Sequence, residues 1–472
     1  SESPMTLAAS PAISTEPAAA RLGGFIASAP RGHGPLALER ARTAVLDTIG
    51  CMLLGAPSEP ARIASRAITA WGQGGAVVVG TGQTAPAPWA ALANGTAAHA
   101  YDLDDYEDPG NTHASAVLVP ALLALAAERE TEWKVGGAEL LDAYIVGLEA
   151  IMRLGEAVNY SHYNLGWHST RTLGTLGAAA AAARLMRLDA GRAAHAVSLA
   201  TSMGGGYTSQ FGTTAKPLHA GLAAQGGLMA ASLAAAGATS GAGALDGPVS
   251  LASLMAAPGE ARFEAFDRLG APWGIEEHGV SIKIHSSCGY THRAIDGALR
   301  LRAQNRIVLG EIAAIRVGLV EAHRAILPFD AARTPSEAMF SVPHTVALAL
   351  VRGAVISADF TDAAIADPMI RALAAKVTVE TRVARRSKVN VDPDDPDLVE
   401  ITLTDGSTLA TAVAVPRGAP ANPLSPDEVL AKFHRCAVIS VAADRATAIA
   451  DVCARLERLA DVRELTALLS AR

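Results

Sequence analysis

The chain is poor in charge and in aromatic side chains: of its 472 residues, 18% are charged and 4% are aromatic. A core without aromatic bulk has to be built from Ala, Leu, Val and Ile. Ala is the best helix former, and its small side chain lets helix axes approach closely. A basic excess is missing too, because the formal net charge is −7. That removes the electrostatic footprint of a nucleic-acid binder. Apolar runs such as Ala178–Ala183 are short, far below the about 20 residues of a membrane span. The cysteines Cys51, Cys288, Cys436 and Cys453 have no CxxC spacing, so neither a zinc site nor a disulfide framework is expected. No basic stretch followed by an apolar segment opens the sequence, and a cytoplasmic protein is the expectation. GxSxG, GxxxxGK[ST] and a GxGxxG after a strand are also missing, which leaves acyl transfer, P-loop phosphate binding and nicotinamide chemistry without support.

What is present is apolar material. Half of the residues are hydrophobic, enough for one or more large cores. From about residue 22 to 257 the pattern is helical. The predicted helices are 41–54, 120–129, 137–154, 172–188, 191–202 and 217–236. They are alanine-rich on nearly every side, as expected for helices buried all round. Beyond about residue 273 the style changes. Residues 312–320 and 376–381 alternate as strands do, and 398–415 holds two alternating runs around Asp405-Gly406, a strong hairpin signal. Residues 286–304 and 342–353 read as helices between them. From Ser425, a plausible N-cap followed by Pro426, the chain is helical again. The fold class expected is mainly α: a large all-helical domain over 1–270, a smaller α+β domain over 274–418, and C-terminal helices over 419–472 that return to the helical domain.

Four polar clusters interrupt this text. The first is Asp102-Leu103-Asp104-Asp105-Tyr106-Glu107-Asp108 with Thr112-His113. Carboxylates this close repel one another unless cations or amide donors face them. A helix-capping acidic loop is the plain reading, and divalent-metal binding is weaker because the spacing is not that of an EF-hand. The second is Trp167-His168-Ser169-Thr170-Arg171, which puts His168 at a helix start, where a neutral imidazole or an anion is favoured. The third is Gly212-Thr213-Thr214-Ala215-Lys216-Pro217. Pro217 suits a first helical position, and Thr214 and Lys216 beside free N–H groups would suit a carboxylate or phosphate. The fourth is Lys283-Ile284-His285-Ser286-Ser287-Cys288. Here Cys288 is either an inert buried thiol or a thiolate stabilised by Lys283 and a helix start.

These clusters, in this order, resemble the MmgE/PrpD family. The matching text is AHAYDLDD, GWHSTRTLG, TTAKPLHAG, SIKIHSSCGYTHRAIDGAL and RTPSEAMFSVPHTVALAL, spread over roughly 38–469. The resemblance implies a helical domain and a smaller α+β domain, a homodimer, and no metal or organic cofactor. It implies enzymes that work on small polycarboxylates: 2-methylcitrate dehydratases, cis-aconitate decarboxylases and iminodisuccinate epimerases. Carried onto this sequence, the family's site residues are Asp102, His113, His168, Lys216 and Lys283. Tyr106 is added as a catalytic candidate, and Cys288, His285 and Thr214 as substrate-binding candidates.

Physical chemistry agrees with that set. A polycarboxylate needs cations. Removing a proton beside a carboxylate needs a positioned base and stabilisation of the charge that develops. His113 and His168 have the right intrinsic chemistry. Clustered lysines could lower one another's pKa, and Asp102 could orient a histidine or hold its loop. The departures narrow the reaction. Residues 108–115 differ from the stretch typical of methylcitrate dehydratases. Tyr106 replaces a threonine of the decarboxylases, Cys288 lies where they have a histidine nearby, and 325–329 lacks a tyrosine they carry there. The leading expectation is therefore epimerisation of the iminodisuccinate type. The alternatives are a dehydratase or decarboxylase, and a non-catalytic polycarboxylate binder.

Overall fold

The computed structural model describes residues 16–128, 134–386 and 390–470. Residues 1–15 and Arg129, at the ends of an expected domain and an expected helix, lie outside the described residues. Helices Ala87–Ala98, Ala114–Glu128, Gly137–Val158, Ser169–Leu185 and Ala215–Ala235 pack together as the centre of the larger unit. In Ser169–Leu185 every residue except Arg171 is buried, so this helix has no solvent face. Close approach explains the small residues. A Cβ on Gly221 would stand 2.1 Å from the carbonyl oxygen of Leu92, so the 215–235 and 87–98 helices cross with backbone nearly touching backbone.

The predicted 41–54 helix starts already at Pro35, and two further helix starts differ from the sequence pattern. The first of these helices begins at Ala114 and carries Pro120 inside it. The apolar stretch 114–119 is wholly buried, and that burial outweighs the hydrogen bond Pro120 cannot donate. The predicted 286–304 helix begins only at His292. Before it, the Cys288 amide donates to Met339 O at 3.0 Å and the Ser287 and Thr291 hydroxyls pair at 2.7 Å, local bonds that compete with the helix.

The smaller unit holds a four-stranded sheet in the order 377–382, 312–320, 397–403, 408–413. The first pair is parallel, with Ile315 opposite Val377, and the others are antiparallel, with Val317 opposite Val399 and Val399 opposite Thr411. Ile315, Val317, Leu319, Val399 and Ile401 turn to one face and are buried with Ile295, Ala298 and Val346 of helices His292–Gln304 and Val342–Arg352. Gly406 takes φ +85° in the expected hairpin, and the Ser407 amide donates to Asp405 Oδ1 at 2.8 Å. The C-terminal helix Pro426–Ala437, capped by Ser425, lies on helix Pro35–Gly55. Among the described residues no helix is long and apolar enough to cross a membrane.

Candidate active site

The acidic cluster forms the loop between helix Ala87–Ala98 and helix Ala114–Glu128. Asp102, Asp104, Asp105 and Glu107 are all buried in it, which bare carboxylates could not tolerate. Each meets a different partner. Asp102 takes the left-handed backbone conformation, φ +50°. It accepts from Lys216 Nζ at 2.8 Å and from Lys283 Nζ at 2.6 Å. Burial works to raise its pKa, but the two lysines prevail and hold it well below the ordinary value. Asp104 stands between two imidazoles, 2.9 Å from His99 Nδ1 and 3.1 Å from His113 Nδ1. The His113 contact is off the line of a straight hydrogen bond. The His113 Nε2 lies 3.5 Å from Asp102. For His99, burial outweighs the attraction of Asp104 and lowers its pKa to about 4.

Among the described residues, Asp105 and Glu107 have no cation beside them. Asp105 accepts from Ser115 Oγ at 2.5 Å, and Ser115 Oγ also pairs with Tyr144 OH at 2.8 Å. Glu107 accepts from the amides of Gly110 at 2.7 Å and Thr112 at 3.1 Å. This is the loop-capping role expected of such a cluster. Burial pushes Asp105 up to about 7 and Glu107 up to about 8, against the pull of those hydrogen bonds. The native state therefore keeps protons that the unfolded chain releases above about pH 4. Their contribution to stability falls as the pH rises from there through about 7 to 8. In Asp105→Asn nothing titrates at this position. Denaturant melts at about pH 5 and about pH 8 should show the variant gaining on the wild type at the higher pH. A difference that stays constant would mean that Asp105 does not titrate in that window.

The basic groups come from other elements. His168 precedes the 169–185 helix, and Lys216 lies in the first turn of the 215–235 helix. Lys283 and Cys288 belong to the segment that leads into the smaller unit, where Ser281 bridges to Tyr106. A small cavity opens among them, lined by Tyr106, His113, His168, Lys216, Cys288 and Tyr290, among others. Lys216 Nζ stands 5.4 Å from the Phe211 ring and 5.2 Å from the Phe340 ring, in surroundings that leave a cation few partners besides Asp102 and an incoming anion.

The structure thus brings together five of the nine sequence candidates around one cavity: Tyr106, His113, His168, Lys216 and Cys288. Asp102 and Lys283 stand behind them, with Lys283 reaching the site through Asp102. Two candidates are elsewhere. His285 is 2.9 Å from Asp296 and outside the cavity. Thr214 takes helical backbone at the start of its helix and makes no side-chain cap.

Four expectations are altered or decided. The 215–235 helix does not offer a ring of free amides: those of Ala215 and Lys216 bond to Thr213, that of Leu218 to Thr214, and Pro217 has none. The anion handle there is the lysine side chain. Asp102 separates the two lysines, so each ammonium faces a carboxylate rather than the other ammonium. Burial first, then Asp102, push the Cys288 thiol up to about 11, so Cys288 is a thiol and not a thiolate. The absence of tyrosine from 325–329 leaves no shortage of phenols, because Tyr106, Tyr163 and Tyr290 all line the cavity. Burial above all raises the pKa of Tyr106, which keeps its proton available.

His99, Asp104, His219 and Lys432 were not among the sequence candidates. His99 stood in the quoted AHAYDLDD text, but only the fold shows Asp104 gripping it together with His113. Lys432 comes from the C-terminal helix. Its Nζ donates to Leu103 O at 2.8 Å and pairs with Asp47 at 2.6 Å, pinning the loop between Asp102 and Asp104. The residues His99, Asp102, Asp104 and His113 are close enough to surround a cation. Both oxygens of Asp102, however, are taken by ammonium groups, and a further cation there would face two like charges.

The model of the MmgE/PrpD N-terminal domain matches residues 20–264, and that of the MmgE/PrpD C-terminal domain matches residues 285–458. Cis-aconitate decarboxylase of Homo sapiens is 29% identical over 470 residues, which cover 92% of this chain and 90% of the relative. Cis-aconitate decarboxylase of Aspergillus terreus is 27% identical over 457 residues, covering 92% and 91%. That of Mus musculus is 27% identical over 467 residues, covering 92% and 89%. Two family models in the expected order, together spanning most of the sequence, leave one assignment: this chain belongs to the MmgE/PrpD family of enzymes.

Proposed function

We propose that the enzyme is a lyase acting on a small polycarboxylate, with decarboxylation of a cis-aconitate-like tricarboxylate as the reaction to test first. The observation that carries this reading is the convergence of Lys216, His113, His168 and Tyr106 on one cavity. The decarboxylase activity for which the relatives are named adds to it. In such a reaction the bond from carbon to one carboxylate breaks and carbon dioxide leaves. The electron pair moves into the framework conjugated with a neighbouring carboxylate, and a proton is delivered to carbon. Lys216 binds a retained carboxylate and faces the developing charge, where a preorganised cation in a dry site acts most strongly. His113, backed by Asp104, gives or takes the proton. His168 and Tyr106 supply further donors, and Cys288 completes the wall as a neutral thiol.

Epimerisation, the leading expectation from residues alone, gives way to this reading. Acid and base groups on a cavity wall serve both reactions equally, whereas the relatives are named for breaking a carbon–carbon bond. The test is incubation of the purified protein with cis-aconitate in deuterium oxide, followed by carbon dioxide detection and NMR of the product. Carbon dioxide release with deuterium on carbon is the expected result. Addition of water across the double bond, giving a hydroxy-tricarboxylate with deuterium on the adjacent carbon and no carbon dioxide, would keep a lyase but make it a dehydratase. Deuterium uptake with scrambled stereochemistry and no loss of carbon dioxide or water, from any di- or tricarboxylate tried, would restore the epimerase. Calorimetric binding without turnover would leave only a binder.

A further inference from the structure

His168 is paired inside the protein. His219, on the 215–235 helix and three residues beyond Lys216, puts its Nδ1 2.8 Å from the Nδ1 of His168, and both rings are buried. At that distance two ring nitrogens need one proton between them: two N–H groups would collide, and two lone pairs would repel. The surroundings keep both rings neutral. Burial and then His219, Lys216, His99 and His113 hold His168 well below the ordinary histidine value. Burial and then Arg171 and Lys216 lower His219 to about 4. The titratable groups acting on the pair are therefore imidazoles and cations, with the Phe211 ring edge-on to His168 at 4.8 Å.

Two neutral rings sharing one Nδ1 proton allow two arrangements. In one, His168 donates and its Nε2 is bare. In the other, His219 donates and His168 carries its own proton on Nε2. The cavity distinguishes them: His168 lines it beside Lys216, where an anionic substrate favours an N–H over a lone pair on the ring nitrogen that His219 does not occupy. With its own proton on Nε2, His168 can only accept at Nδ1, which places the single proton of His219 on Nδ1.

We propose that His219 is a positioning residue: by donating from Nδ1 it fixes His168 as the Nε2–H tautomer, so that His168 presents a hydrogen-bond donor to the cavity. The proposal rests on the reading that this cavity is where the substrate reacts. With Nδ1 spent on His219, Nε2 is the nitrogen left to face an anionic substrate, and a fixed N–H needs no reorganisation when charge builds on a carboxylate. His219 itself does not line the cavity.

The test compares His219→Leu, which removes the donor, with His219→Asn, whose amide reproduces an N–H near the Nδ1 position. Ring nitrogens are read by 15N NMR in histidine-labelled protein without substrate, the His168 signals being identified by their loss in His168→Gln. Wild type and His219→Asn should show His168 protonated at Nε2, and His219→Leu should show that preference lost. With cis-aconitate, kcat should fall roughly tenfold or more in His219→Leu, KM should stay within about twofold, and His219→Asn should recover most of the loss. A wild-type His168 protonated at Nδ1, or His168 ring signals that do not differ between wild type and His219→Leu, would overturn the proposal whatever the activity. If His168→Gln turns over like the wild type, the reading of the cavity fails instead. The tautomer assignment is then still decided by the substrate-free spectra.

Discussion

Asp102→Asn is expected to destabilise the fold by about 3–5 kcal/mol, the usual cost of removing one partner from a buried charge cluster. Asn has nearly the shape of Asp and tolerates the left-handed backbone that position 102 requires, so the substitution isolates the charge. What remains is two ammonium groups, Lys216 and Lys283, both buried and both deprived of the carboxylate that each now reaches within 2.8 Å. Lys283→Met should cost less, because Asp102 keeps Lys216. The double variant Asp102→Asn/Lys283→Met should be more stable than the sum of the single losses requires, since it leaves one unpaired ammonium instead of two. The pH dependence has a definite sign. The folded pKa of Asp102 is depressed, so its contribution is complete above the ordinary carboxylate value of 3.8 and is lost as the pH falls through the folded value. At neutral pH the full penalty should be read in urea or guanidinium melts, and it should shrink in acid. A loss under about 1 kcal/mol, or strict additivity in the double variant, would mean that the three groups do not share one network.

That network also shows what could be read from the sequence and what could not. Periodicity was enough for the two styles of sequence, because helix spacing in 137–154 and strand alternation in 312–320 each report a local burial pattern. Asp405-Gly406 announced its hairpin, since few residue pairs adopt that turn. Periodicity does not carry strand order: nothing local tells 377–382 to lie parallel to 312–320 while 397–403 pairs with its other edge. It also does not carry the position of Ser286–Cys288, where hydroxyl bonds and a long-range amide bond to Met339 displace the helix start. Within the site, residue chemistry and family resemblance together pointed to Lys216, His113, His168 and Tyr106, because ionisable groups stand out in so apolar a chain. The partners were hidden. Asp104 is one of five carboxylates in a row of seven residues, and only its place between His99 and His113 separates its role from the loop-capping role of Glu107. Lys432 lies more than 300 residues from the loop it fastens, and His219 acquires meaning only from the 2.8 Å to His168.

His113→Asn should lower kcat by roughly 10²- to 10⁴-fold, the range associated with loss of a positioned acid or base. The argument starts from what each histidine has left to offer. His99 is fully enclosed with its Nδ1 on Asp104, and the Nδ1 of His168 is taken up by His219. His113 has Asp104 beside Nδ1 and 14% of its side chain exposed, so it both meets the cavity and has a carboxylate to steady the ring as its proton comes and goes. Stability should change little by comparison, because Asp104 keeps His99 and the side chain is not in the hydrophobic core. The reading to make is kcat and KM separately, with the melting temperature of the same preparation. A fall in kcat with KM nearly unchanged marks loss of an interaction made in the transition state. If KM rises while kcat stays at the wild-type value, His113 holds substrate and does not move its proton, and the role of acid or base passes to Tyr106 or His168. Tyr106→Phe decides between those two. It removes one hydroxyl from a ring that stays buried, and a comparable fall in kcat there would assign the proton to the phenol.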